Sequence, residues 1–164
     1  MIRQAEIKDA PQLLDLFSTL DSESDFMLYE AGERSTTLEQ QQGILENFSR
    51  CEEDVMLVCE QEELILGFIV GIGGKANKNR HCTYLAMGVK ASHSGQGIGY
   101  QLLQALQEWA QQRRCHRIEL TVVANNQRAI DLYKRSGFEA EGVKRDALKI
   151  RGQFVDEIYM SKLL

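Results

Sequence analysis

Apolar positions along this chain follow two periods, and the switches between them mark its elements. Ile2 to Ile7 reads as a short strand. Leu13, Leu14, Leu16, Phe17 and Leu20 then recur at helical spacing, with Asp9 placed to cap the helix and Pro11 in its first turn. Asp21 to Arg34 is polar with scattered apolar residues (Phe26, Met27, Leu28, Tyr29) and reads as loop or short helix. The run Thr36-Thr37-Leu38-Glu39 offers a Thr-x-x-Glu capping box for a second helix reaching about Phe48. From Asp54 the period shortens. Asp54 to Glu60 and Leu64 to Gly71 are β-type runs across a tight polar turn, Lys75 to Arg80 is a loop, and His81 to Lys90 is a further strand.

A loop over Ala91 to Ser94 leads into a long helix from about Gly97 to Arg114, whose apolar face carries Ile98, Leu102, Leu106 and Trp109. Arg117 to Val123 is a strand, and Asn126 to Ser136 a helix that Gly137 ends as a left-handed cap. Phe138 to Lys149 and Gln153 to Leu164 read as two strands around an Arg151-Gly152 turn. The order β-α-α-β-β-β-α-β-α-β-β mixes hairpins with crossovers. It predicts an α/β (α+β) architecture with a mixed sheet flanked by helices, not a fully parallel one.

Composition narrows the classes. A length of 164 residues suits a single domain spanning 1–164, and 43% hydrophobic residues suffice for a core. The net charge of −5 argues against a nucleic-acid partner, which needs a basic face. The four cysteines form no C-x-x-C pair and only three histidines occur, so no metal is expected and free thiols in a reducing compartment fit best. The first residues contain no apolar signal-peptide core, and no apolar stretch approaches the roughly 20 residues of a membrane span. A soluble, cytoplasmic protein with no membrane partner is the expectation.

The most informative stretch runs from Met87 to Gly99, M-G-V-K-A-S-H-S-G-Q-G-I-G. A strand ends, glycines alternate, and an amphipathic helix begins. A helix N-terminus presents unpaired N–H groups and partial positive charge, and glycines let consecutive N–H groups converge on an anion. Gly95, Gly97 and Gly99 spell G-x-G-x-G, which fits neither the dinucleotide fingerprint G-x-G-x-x-G nor the P-loop, whose lysine is missing after Gly99. Ser94 to Gly99 instead resembles the coenzyme-A pyrophosphate loop of the GNAT acetyltransferases, [Q/R]-x-x-G-x-G/A. Ser94 departs from the usual Gln or Arg, keeping a hydroxyl but losing reach.

A second stretch agrees. Val122 to Phe138, V-V-A-N-N-Q-R-A-I-D-L-Y-K-R-S-G-F, resembles another GNAT signature through Asn126, Ala129, Ile130, Leu132, Tyr133, Gly137 and Phe138. The resemblance covers Asp54 to the C-terminus and implies a mostly antiparallel sheet of about seven strands with about four helices. It further implies acetyl-CoA as co-substrate, a primary amine of a small molecule or peptide as acceptor, and direct transfer without an acyl-enzyme. Met87, Gly88 and Val89 would hold the pantetheine as a pseudo-strand, with the Val89 amide as oxyanion donor. Ser94, Gly95, Gln96, Gly97, Ile98, Gly99 and Tyr100 would hold the pyrophosphate. Asn126, also a good N-cap, would contact the pantetheine, and Tyr133 would protonate the leaving thiolate.

The general base is less defined. Some members carry a Glu where Thr121 stands, and Thr121 cannot serve. Glu119 shares its strand face and is the first candidate, with Glu30, Glu33 or a water chain as alternatives. The tail resembles the closing hairpin of enzymes acting on ribosomal-protein N-termini, polyamines or amino acids, and dimers are common in the family, so a homodimer is an expectation. The competing reading is a non-catalytic acyl-CoA-binding module, against which the intact glycine loop and Tyr133 both speak.

Overall fold

In the computed structural model, which describes residues 1–164, the alternating runs become seven strands: β1 (Ile2–Gln4), β2 (Asp54–Gln61), β3 (Leu64–Gly73), β4 (Cys82–Val89), β5 (Arg117–Val123), β6 (Glu139–Ile150) and β7 (Gln153–Leu163). The helical stripes become α1 (Ala10–Glu23), α2 (Leu38–Arg50), α3 (Ile98–Gln112) and α4 (Gln127–Arg135). β1 stops short of the expected Ile7 because Asp9 folds the chain back. Its carboxylate accepts from the Glu6 amide at 2.8 Å and from Arg3 at 2.7 and 2.9 Å, which winds Ile7–Asp9 into a 3-10 turn. Asp9 does stand at the α1 N-cap, but with its oxygens so engaged it makes no capping bond. The second capping box sits one residue later than Thr36–Glu39: Thr37 accepts from the Gln40 amide, and the Gln40 side chain returns to the Thr37 amide.

The strands form one sheet in the order β1-β2-β3-β4-β5-β7-β6. Every neighbouring pair is antiparallel except β4–β5, which is parallel because α3 carries the chain back across the sheet before β5 begins. That pair is as short as the β1 edge pair, three positions each. Only Cys82–Tyr84 meets Arg117–Glu119; beyond them the two strands separate.

Both faces are covered. Leu102, Leu103, Leu106 and Ala110 of α3 pack with Ile69, Leu85, Ile118 and Leu120, all at most 2% exposed. Leu13, Leu16, Phe17 and Leu20 of α1 and Leu45 of α2 pack with Met56, Val58 and Phe68 on the other face. Removing a side chain such as Leu106 would cost about 2–5 kcal/mol through lost burial and the cavity left behind. Two glycines admit these close layers: a Cβ on Gly71 would lie 2.7 Å from Leu106 Cδ1, and one on Gly88 would lie 2.8 Å from Leu20 Cδ1. β6 and β7 form a long hairpin whose tip, Arg151 and Gly152, takes positive φ at both residues, the backbone of a tight two-residue turn. Arg151 also reaches Asp25 at 3.1 Å, tying the hairpin tip to the segment after α1.

Candidate active site

The parting of β4 from β5 creates the site. In an antiparallel ladder, backbone groups point alternately to one neighbour and the other. Lys90 donates to Leu66 O at 2.9 Å and Gly74 to Cys82 O at 3.0 Å, so the even-numbered residues of β4 serve β3. The groups of Met87 and Val89 therefore face the opening toward β5, where no strand meets them. On the far wall, Ala124 donates to Asp156 O and Leu164 to His116 O, so Thr121 and Val123 turn their backbone edges inward. The opening is thus bounded by unpaired peptide edges, complementary to an extended chain bearing amides. Its narrow end is closed by the Tyr84 hydroxyl, 3.1 Å from Thr121 Oγ1.

Just past Val89 the chain makes a short 3-10 turn over Ala91–His93 and then the glycine run. Gly95 and Gly97 have φ of +83° and +81°, a conformation costly for residues with a side chain. Gly97 is the N-cap of α3. Gly99 is needed for a different reason: its Cβ would meet Leu132 Cδ2 at 3.1 Å and Met87 Cε at 3.4 Å. None of the amides from Gly95 to Tyr100 has a hydrogen-bond partner within the chain. This concavity of free N–H groups at a helix N-terminus is built for an anion with several oxygens. Arg128, from the first turn of α4, lies beside it, its Nη2 3.8 Å from the Cβ position of Gly95.

A cavity of about 1170 Å³ joins these features and passes through the sheet. On one face it reaches Leu132 and Tyr133 of α4; on the other it reaches Phe17 and Leu20 of α1 and the segment Ser24–Tyr29. Asn126 caps α4, accepting from the Ala129 amide at 3.3 Å through Oδ1, which leaves its amide nitrogen free to donate. Tyr133 is 7% exposed, and its ring packs 5.8 Å from that of Phe138. Its hydroxyl bonds to nothing in the chain. The one sealed side-chain polar atom without a partner is Gln41 Nε2, so the Tyr133 oxygen opens on the cavity. Burial pushes the Tyr133 phenol above its ordinary pKa, with Tyr84 adding to the shift, so it stays protonated and able to donate.

The cavity collects Met87, Gly88, Val89, Ser94, Gly95, Gly97, Ile98, Gly99, Tyr100, Asn126 and Tyr133; of the expected binding residues only Gln96 is outside its lining. Glu119 is also outside. It lies where β4 and β5 are still paired, opposite Tyr84, below the point of separation. Its carboxylate accepts from Arg117 Nε at 2.6 Å, and Arg117 also holds Glu141 at 2.6 Å. Glu119 shares a strand face with Thr121 but lies at the last paired position of β4 and β5, one step before the opening. Glu30 and Glu33 likewise lie outside the lining, Glu33 bonding to the Glu30 amide at 2.8 Å.

Several lining residues carried no sequence signal. Arg34 is held by the buried Asp21 at 2.8 and 3.1 Å and stacks over Phe17 and Tyr29 at 4.9 and 4.6 Å, fixing the segment that covers the cavity. Glu23, the last residue of α1, accepts from the Ala91 amide at 2.9 Å, anchoring the glycine loop from across the sheet. Glu157 reaches the cavity from β7. Only the positive charge of Arg128, two residues past the cap Asn126, was open to notice in the sequence. No group of three or more His, Cys, Asp or Glu converges as a metal site would require, and no helix is long and apolar enough to cross a membrane.

Known proteins share this arrangement. The ribosomal protein uS5-alanine N-acetyltransferase of Escherichia coli is 33% identical over 94 residues, 55% of this chain and 48% of that protein, so the chain spans about half the length of this curated relative. A GNAT-family acetyltransferase from Streptococcus pneumoniae superposes with a TM-score of 0.96 at 29% identity, over 100% of this chain and 99% of that one. A ribosomal-protein-alanine N-acetyltransferase from Brucella melitensis gives 0.87 at 29% identity, with the same coverage. The family model for the acetyltransferase (GNAT) family matches residues 16–138, from the middle of α1 through the glycine loop to the end of the second signature. Taken with the parted strands and the glycine concavity, that match establishes that the chain belongs to the GNAT acetyltransferase family.

Proposed function

We propose that this chain transfers the acetyl group of acetyl-CoA directly to a primary amine of a small molecule or peptide. The observation that carries the reading is the single cavity that joins a concavity of free amides on one side of the sheet to a covered chamber on the other. The amides of Gly95 to Tyr100 suit the pyrophosphate, whose charge the α3 N-terminus favours. The unpaired edges of Met87 and Val89 suit the amides of the pantetheine arm, and the free amide nitrogen of Asn126 adds a donor. The fit is supported at Gly99, where any Cβ would crowd Leu132 and Met87.

Chemistry follows from the same geometry. The thioester carbonyl would sit at the wide end of the gap, where the Val89 amide can stabilise the developing oxyanion. The amine enters from the opposite face and attacks in line. Tyr133, protonated and opening on the cavity, donates to the departing thiolate, whose conjugate acid has pKa ~8.5. None of the cysteines is among the lining residues, which supports direct attack over an acyl-enzyme. All four are free thiols, in keeping with a reducing, cytoplasmic location.

The test is calorimetric titration of acetyl-CoA followed by a thiol-release assay with an amine panel that includes an alanyl peptide, an L-amino acid and spermidine. Binding at micromolar concentration and amine-dependent thiol release are expected. Absence of heat would refute the assignment of the glycine concavity. Binding without thiol release across the panel would favour a non-catalytic acyl-CoA module.

A further inference from the structure

Attack on a thioester needs a neutral amine, although an aliphatic amine with pKa ~10.4 arrives as an ammonium ion. Something in the chamber must receive that cation and its proton. Only two carboxylates line the cavity, Glu23 and Glu157. Glu23 is committed, since it accepts from the Ala91 amide at 2.9 Å. Glu157 is not. It stands on β7 directly opposite Val123, the last residue of the β5 wall where the gap is widest, and its side chain is 14% exposed. Nothing in the chain donates a hydrogen bond to it. Its one charged neighbour is Lys144 on β6, at 3.9 Å, too far for a hydrogen bond and itself half exposed.

A mostly buried carboxylate held only by a loose, replaceable cation is suited to exchange that cation for another. Resting on the acetyl-transfer reading, we propose that Glu157 is the catalytic residue for the acceptor: it binds the ammonium group in place of Lys144 and then takes its proton. The ammonium first gives one proton to a Glu157 oxygen, which passes it to water; the freed lone pair then bonds to the acetyl carbon, and the nitrogen gives its second proton to the same carboxylate. The carbon–sulfur bond breaks, the thiolate takes the Tyr133 proton, and Glu157 later releases its own proton to water. Tyr133 is reprotonated from water, so each turnover converts one ammonium ion and one thioester into one amide, one thiol and one proton.

Three variants test this with acetyl-CoA and, as probes, a short alanyl peptide and spermidine. Glu157→Gln lowers kcat about 100-fold, the size of a lost general base. It also weakens calorimetric binding of the amine to the CoA-loaded protein about 10-fold, while leaving acetyl-CoA affinity and melting temperature unchanged. Lys144→Met lowers KM for the amine ~5-fold by removing the competing cation at 3.9 Å, and this gain vanishes when Lys144→Met is made in the Glu157→Gln background. A Glu157→Gln protein with kcat within threefold of wild type, or a Lys144→Met effect that persists without the carboxylate, overturns the assignment while acetyl transfer by the wild type stands. A wild type that binds acetyl-CoA but acetylates no amine of the panel, L-amino acid included, at millimolar concentration overturns both readings.

Discussion

Replacing Tyr133 by Phe isolates one oxygen atom. The ring is 7% exposed and packs against Phe138, and Phe keeps that burial. The hydroxyl has no partner in the chain, so its loss leaves no buried donor or acceptor unpaired. The usual cost of about 1–3 kcal/mol for an orphaned partner does not arise, and stability should change by less than about 0.5 kcal/mol. The catalytic cost is different. A hydrogen bond to a charged group contributes about 1.5–3 kcal/mol, and here that charge exists only as the thiolate leaves. At 1.36 kcal/mol per decade, kcat should fall between about 10- and 150-fold. Calorimetry should find acetyl-CoA affinity unaltered, since the ground-state thioester carries no charge on sulfur. Steady-state thiol release at saturating acetyl-CoA reads kcat, and a thermal melt reads stability. A kcat within twofold of wild type would refute the proton-donor role. A large loss of melting temperature would show that the hydroxyl holds structure instead.

Gly97→Val should weaken acetyl-CoA binding at least ~10-fold, because a β-branched residue at φ +81° costs roughly 1–2 kcal/mol or reorients the loop amides. A Cβ there meets nothing closer than Gln101 Nε2 at 3.9 Å, so the backbone strain alone should lower the melt, by only a few degrees; normal affinity by calorimetry would show the loop is not the anion site. Glu119→Gln should leave kcat near wild type and cost under about 1 kcal/mol, since its pair with Arg117 is partly solvated and Arg117 keeps Glu141; a tenfold fall in kcat would return Glu119 to the proton path. Arg117 and then Ser161 hold the Glu141 carboxyl down to about 2. Its folded pKa lies below its unfolded value of about 4.3, so this stabilisation is present above pH ~5 and is lost as pH falls toward 2. In urea melts, wild type should exceed Glu141→Gln at pH 7 and converge with it near pH 2.

Much of this protein could be read from its sequence because much of it is local. Gly97 at the helix mouth, Asn126 as a cap and Gly137 as a left-handed stop act through bonds to residues a few positions away, so spacing alone identifies them. Element order followed from the switch between periods, and the family signatures were both continuous stretches. Where a local rule met a distant partner, the rule yielded. Asp9 cannot cap α1 while Arg3 occupies its carboxylate, and the capping box moved from Thr36–Glu39 to Thr37–Gln40.

The depth of each residue in the site was decided only by the tertiary structure. Alternation tells which face of β5 Glu119 and Thr121 occupy, but not that β4 and β5 part company between them, since that depends on strands joined through α3. That parting leaves Glu119 to Arg117 and gives Thr121 to the cavity. Glu157 enters the chamber because β7 lies beside β5, an adjacency between segments far apart in the chain. Hydrophobic periodicity reports what each residue does for its own element, whereas a site spanning two faces of a sheet is set by which elements become neighbours.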